Sequence, residues 1–332
     1  MLGYITRRTL MVIPVVWAAL SLLFLLFFVV PGDPVDLLGG ERAVNATTRA
    51  NIEAKFGLDK PWYDQYGAYW NRLAHGDLGD SYRNNRPVLD VLKEKAPTSI
   101  RLAIWAVIFE VLMGVTAGLI SAVRRYSFID ALTTVSTTML IAVPVFVLGY
   151  LLIYMLGVYT FQHKFPAWTH FKTQGIGPDR WLLFFIPWGD QWRYLLLPTV
   201  TLASASTALV ARMMRATMLE VQRADYMRTA RAKGLMERTV ILKHGLKNAM
   251  IPVVTLIGLD LASLIGSAIL TETVFNWPGM GSTLATAIQF LDAPIVLGFT
   301  LVFVVAYVMI NLAVDVSYAF FDPRIRYGGD GE

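Results

Sequence analysis

Polar and apolar positions fall in long blocks along this chain rather than alternating at helical or strand period. Residues 10–30 hold no charge across 21 positions, about the ~20 residues that a helix needs to cross a bilayer. Five further blocks lie at about 99–122, 130–157, 194–218, 249–270 and 294–320. The pattern predicts an all-α polytopic membrane protein with six transmembrane helices. The first block follows Arg7 and Arg8, as a signal peptide would. It is longer than a ~7–15-residue signal core, and Val29-Val30-Pro31-Gly32-Asp33 is a poor small-residue cleavage site. It is therefore read as a retained helix.

Between the blocks, the outer segment 31–98 carries the signals of a folded lobe. Thr47 to Phe56 reads as a short helix, with Thr47 or Thr48 as N-cap and Gly57 as its left-handed stop. Asp64 to His75 reads as a second, with Tyr66, Tyr69, Trp70 and Leu73 at helical spacing. Two readings of those aromatics stand: packing of the lobe onto the membrane helices, or a docking face for an outer partner. Residues 180–192, rich in Trp and Phe, read as a segment at the headgroup level, where Trp is favoured.

Charge then sets the topology. Charged residues are 16% of the chain, against roughly 25% in ordinary globular proteins. Lys+Arg number 29 against 24 Asp+Glu, a net +5. Arg124 and Arg125 lie between the second and third blocks, and Arg324 and Arg326 in the tail. The connection 219–248 holds Arg223, Arg228, Arg231, Lys233, Arg238, Lys243 and Lys247. Residues 271–293 hold no Lys or Arg. The positive-inside rule puts both termini and the two basic loops in the cytoplasm. Nucleic-acid binding is thereby disfavoured, because topology accounts for most of the basic residues. With no Cys in the chain, disulfides, thiolate catalysis and Cys-based metal sites are excluded.

Catalytic constellations are missing too. There is no G-x-x-x-x-G-K-[ST] phosphate loop and no H-E-x-x-H pair. The four His are scattered, so no catalytic residue, metal site or cofactor is read on this chain. Charges inside a membrane are costly and face a bundle interior or a wet path. The candidates are Glu110, Asp260 and Asp315. Asp260, Ser263, Ser267 and Thr271 fall on one narrow helical face, which either lines a hydrated translocation pathway or hydrogen-bonds between helices. Gly114 with Gly118, and Ala262 with Gly266, have the spacing of closely packed membrane helices.

The connection 219–248 is the most informative stretch. Residues 225–234 (DYMRTARAKG) read as a short helix ended by Gly234 in the left-handed C′ position. A second helix runs from about Glu237 into the fifth span. The elbow is either a solvated cytoplasmic loop or a rigid lever whose small residues Ala230 and Ala232 enter a partner's groove.

These residues resemble the "EAA" coupling loop of ABC-importer permeases, in the B-type subunit of the dipeptide/oligopeptide/nickel branch. The match stands on Asp225, Tyr226, Arg228, Thr229, Ala230, Ala232, Lys233, Gly234 and Leu235, then His244, Leu246, Asn248, Ala249 and Pro252. It extends to Tyr4, Arg7, Arg8 and Pro31-Gly32-Asp33-Pro34, to Gly76-Asp77-Leu78-Gly79, to Trp277-Pro278-Gly279-Met280-Gly281, and to Asp322-Pro323-Arg324-Ile325-Arg326-Tyr327. Residues 159–193 depart from it, being longer and more aromatic than the usual outer connection.

The resemblance implies a single permease domain over 1–332, of the type I ABC importer fold, in the bacterial inner membrane. It implies a second, C-type permease as partner. It also implies two ATPase subunits carrying the ATP and Mg, and an extracytoplasmic substrate-binding protein. The coupling loop would sit on an ATPase subunit. Trp277, Pro278, Gly279 and Gly281 would open a short outer helix, 277–290, at the pathway mouth. Peptides are the expected cargo. Two other classes compete: an ion-coupled secondary transporter or channel using Glu110, Asp260 and Asp315, and an intramembrane enzyme. The lever-like loop and the lack of inverted repeats favour the importer over the first, and the missing catalytic pairs disfavour the second.

Overall fold

The long apolar blocks of the sequence are mainly helical in the computed structural model, which describes residues 2–29, 47, 49–50, 53–54, 57–166, 170–177 and 181–321. Side chains of 2–9, 28–29, 262, 265 and 315–321 are not described. The Pro31–Pro34 and Asp322–Tyr327 motifs lie outside these residues, as does the side chain of Asp315. The helices are α1 Leu2–Val29, α2 Trp62–Ala74, α3 Val88–Phe109, α4 Val115–Val123, α5 Phe128–Ala142, α6 Val145–Leu152 and α7 Thr160–Gln162. A hairpin of β1 Trp181–Leu182 and β2 Ile186–Pro187 follows. Then come α8 Gln191–Val221, α9 Asp225–Ala232, α10 Glu237–Thr239, α11 Leu246–Val274, α12 Met280–Gln289 and α13 Ala293–Phe321.

Three π-helical segments, Glu110–Gly114, Ile153–Tyr159 and Val240–Gly245, join consecutive helices into longer rods. Among the described residues, six stretches are long and apolar enough to span a membrane: Leu10–Phe27, Val88–Val123, Val145–Gln162, Gln191–Val221, Glu237–Leu261 and Ala293–Val314. The third differs from the expected 130–157. Val143 is extended (φ −87°, ψ 124°), because the residue before a proline is excluded from the helical region. Pro144 therefore breaks that block into α5 and α6.

The chain divides into two compact units: Met1–Ser99 with Pro278–Met309, and Ile100–Trp277 with Ile310–Glu332. The sequence reads as one permease domain; the division falls inside α3 and α13.

In the first unit, Leu20 and Phe24 of α1, Tyr69 of α2 and Leu297 of α13 form a buried core, with Tyr66, Trp70 and Leu73 packed against it. Ser21 Oγ and Tyr66 Oη are 2.7 Å apart, and the Phe24 and Tyr66 rings meet edge to face at 5.3 Å. The lobe aromatics thus pack onto a membrane helix, the first of the two readings above. Asp292 ties the lobe to the α12–α13 turn: its carboxylate accepts from Ser81 Oγ at 2.5 Å and from the Tyr82 and Arg83 N–H groups at 3.1 and 3.4 Å. Thr47, Arg49, Ala50, Glu53 and Ala54 are helical, and Gly57 has φ +67°, as the stop signal requires; Phe56 lies outside the described residues.

The second unit is built around α8, whose inner face is buried from Leu195 to Met218. The Gly114/Gly118 pair is used as its spacing predicts. A Cβ on Gly118 would lie 2.7 Å from Met214 Cβ, and one on Gly114 2.7 Å from Val210 Cγ1. Gly266, by contrast, has open space beside it, while Gly258 packs on Val314. The Arg215 guanidinium donates to both oxygens of Asp130 at 2.7 and 2.8 Å, and Ser121 Oγ donates to the same carboxylate at 2.5 Å, joining α4, α5 and α8. The segment 180–192 contains a hairpin, with Arg180 outside the described residues. Trp105 Nε1 and Arg101 Nε donate to the carbonyls of Phe185 and Phe184, both at 2.7 Å.

Candidate coupling segment and intramembrane polar groups

The short helix α9 arises where the sequence places it. Gly234 has φ +75°, and its N–H donates to the Arg231 carbonyl at 2.9 Å. No atom lies within 4 Å of where its Cβ would be, so the glycine is required by backbone conformation and not by crowding. Beyond it, Met236 starts α10, and the rod continues into α11. Arg231 closes the elbow with a two-pronged ion pair to Glu237, Nη2 to Oε1 at 2.9 Å and Nε to Oε2 at 3.1 Å.

One face of α9 is buried within the chain. Met227 and Ala230 pack on Val240 and Val221. This corrects the expectation that Ala230 enters a partner's groove: its small side chain lets α9 lie close on its own rod. Asp225, Tyr226, Arg228, Thr229, Ala232, Lys233 and Gly234 are exposed. Within that face Arg228 and Asp225 are 3.6 Å apart, and Thr229 Oγ1 donates back to the Asp225 carbonyl. The expected coupling residues therefore share one outward surface, Ala230 excepted.

The polar stripe of α11 is uneven. Ser263 is exposed, Asp260 and Ser267 are half-buried, and Thr271 is fully buried. Ser263 Oγ donates to the Asp260 carbonyl and to Asp260 Oδ1, both at 2.8 Å, while Ser267 and Thr271 bond to carbonyls of their own helix. Thr271 thus lines no surface of this chain. Glu110, which had no readable partner in the sequence, is wholly buried at the start of the first π-segment. Both Glu110 carboxylate oxygens and Asp260 Oδ2 are buried without a hydrogen-bond partner among the described residues. No group of three or more metal-ligating side chains occurs among the described residues.

The expected mouth segment divides. Trp277 is a core residue, fully buried among Leu102, Ala106, Leu195, Leu202, Ala203 and Leu264. Its bulky ring supports the second unit rather than lining an opening. Gly279 precedes α12, and the Ser282 hydroxyl accepts from the Gly279 N–H at 3.2 Å. The Met280 N–H donates to Ser99 Oγ at 2.7 Å; Gly281 is buried. A short helix is present in the expected 277–290 stretch, at Met280–Gln289.

Among the described residues, six membrane-length helices carry a stapled helix–glycine–helix elbow between the fourth and fifth. The chain belongs to the binding-protein-dependent transport system inner membrane components, whose model matches residues 114–327, with the corresponding N-terminal model matching 1–103. It is 38% identical over 335 residues to the dipeptide transport system permease protein DppB of Alkalihalophilus pseudofirmus, covering 98% of this chain and all of that one. It is likewise 38% identical over 327 residues to the glutathione transport system permease protein GsiC of Escherichia coli K12, with the same coverage. Among solved structures, an amino acid ABC transporter with histidines is similar over 69% of this chain and 92% of its own, with a TM-score of 0.48 and 15% identity. The chain is a permease subunit of the peptide/nickel branch of ABC importers, in the bacterial inner membrane.

Proposed function

We propose that this chain forms half of a translocation pathway for di- and oligopeptides. It pairs with a second, C-type permease and receives cargo from an extracytoplasmic binding protein. It moves between inward- and outward-facing states as two ATPase subunits bind and hydrolyse ATP with Mg. The observation that carries the reading is α9. Its buried face fixes it to the rod that becomes α11, and its exposed face offers Asp225, Tyr226, Arg228, Thr229 and Lys233 to a partner. A force applied to that face is transmitted to a membrane helix without a flexible joint, because the Arg231–Glu237 pair closes the elbow. Rocking of rigid bundles about a central path is a general solution for transporters. Peptide cargo is supported by the relatives, named for dipeptide and glutathione transport over their whole lengths.

The test is purification of the tagged chain from its own membranes, followed by reconstitution with what copurifies. An ATPase subunit is expected to copurify, and ATP hydrolysis is expected to rise with binding protein and peptide, more than with nickel or haem. Solute flux driven by an ion gradient in the absence of ATP would instead support the secondary-transporter reading.

A further inference from the structure

In the second unit an open apolar groove of about 560 Å³ lies between the end of α4, the start of α5 and the start of the rod that becomes α11. Leu119, Ile120, Val123, Ile129, Ile241 and Leu242 form its floor, and Arg124 and Arg238 complete the lining. No acidic side chain lines it among the described residues. The membrane-length stretch Val88–Val123 ends one residue before Arg124, and the stretch Glu237–Leu261 begins one residue before Arg238. Both arginines therefore stand where hydrocarbon gives way to headgroups, with positions 119–123 and 241–242 on the hydrocarbon side. Tyr126, in the turn after Arg124, is 86% exposed, as suits an amphipathic ring at that level. The carboxylates nearest in sequence are already engaged: Asp130 is held by Arg215, and Glu237, next to Arg238, is held by Arg231. Arg124 and Arg238 are exposed, and neither is in an ion pair among the described residues.

We propose that this groove binds an anionic phospholipid, its phosphate held by Arg124 and Arg238 and an acyl chain laid on the apolar floor. The two halves of the groove complement the two halves of one lipid. Guanidinium forks match phosphate oxygens, and the floor offers contact to hydrocarbon alone. A soluble phosphate would leave that floor uncovered. Basic pockets between membrane helices on the cytoplasmic side suit anionic headgroups, and the charge pattern puts this groove on that side. The lipid would tie the α4–α5 turn to the start of the rod that bears the Arg231–Glu237 staple, so that headgroup charge acts on the elbow. The inference uses only the chain's place in the membrane and is independent of cargo and of the ATPase partners.

The test uses the full chain, purified from its own membranes with what copurifies, in phosphatidylcholine nanodiscs. These contain a trace of either phosphatidylglycerol or phosphatidylcholine bearing the same photoreactive acyl chain. After illumination the labelled residues are mapped by mass spectrometry. The phosphatidylglycerol probe is expected to label 119–129 and 238–242 more strongly than the phosphatidylcholine probe. Arg124→Gln and Arg238→Gln are each expected to cut that excess roughly fivefold, the factor carried by one basic residue at an anionic surface. Arg124→Lys, which keeps the charge, is expected to recover part of it. Arg125→Gln, at an exposed position outside the groove, is expected to leave the excess unchanged. The comparison of the two probes on the unaltered chain stands whether or not a variant folds. Equal labelling by both probes overturns the proposal. So does an equal loss in Arg125→Gln, which marks general surface charge, or loss of the excess to added inorganic phosphate at constant ionic strength, which marks a free-anion site. Absence of label from the groove with either probe, as when a protein partner covers it, overturns it too.

Discussion

Burial pushes the hydroxyls of Tyr69 and Tyr82 up to about 12 from the ordinary 10.0. Nearby Arg72 pulls both the other way, while Tyr66 adds to the rise at Tyr69 and the Asp292 carboxylate adds to it at Tyr82. Both residues sit in the first unit, outside the membrane-spanning helices. A group whose folded pKa is raised holds its proton more tightly when folded. The stability it contributes is complete below about pH 10, the unfolded value, and drains away as pH rises toward about 12. These two are expected to ionise only as pH approaches about 12, together with loss of the lobe's packing on α1. Tyrosinate absorbance and near-ultraviolet circular dichroism followed over the same alkaline titration would check this. Ionisation of every tyrosine before any loss of the near-ultraviolet signal would contradict it.

Among the elements, the elbow between α9 and α10 was the most legible in the sequence. Gly234 gave its position, and the structure adds the Arg231–Glu237 staple and the Met227/Ala230 contact. Gly234→Ala places a side chain in the left-handed region, at about 1–2 kcal/mol, with no steric clash to confuse the result. Gly234→Pro demands φ near −65°, which the elbow at +75° does not offer. Peptide uptake and stimulated ATPase activity are expected to decline in the alanine variant and vanish in the proline variant, while the ATPase still copurifies. Full uptake in Gly234→Pro would remove the lever from the mechanism. Other elements were less legible for identifiable reasons. π-segments carry no composition signal, so Glu110–Gly114 read as ordinary helix. Val143-Pro144 looks continuous with its apolar neighbours, because the break is set by one backbone angle. The hairpin at 181–187 turns through Leu183 and Phe184, both at positive φ (48° and 70°). Neither is a residue whose identity announces such a turn.

At the scale of the whole chain, length and charge were enough to find six membrane-length helices, since apolar blocks of ~20 residues have few alternative fates. The burial of Glu110 at the head of a π-helical segment was beyond that reading. The same charge pattern carries a claim about orientation: Arg124, Arg125 and the 219–248 elbow face the cytoplasm, and the Lys- and Arg-free connection 271–293 faces outward. The absence of native cysteine makes that claim unusually direct to test, because every introduced thiol is the sole one in the chain. Arg125, Lys233 and Gln289 are all exposed and stand outside the apolar cores. In sealed right-side-out spheroplasts, a membrane-impermeant maleimide is expected to label Gln289→Cys at once. Arg125→Cys and Lys233→Cys are expected to react only after permeabilisation. The opposite pattern would invert the topology. The elbow would then lie away from the compartment that holds ATP, and the coupling role of α9 would fall with it.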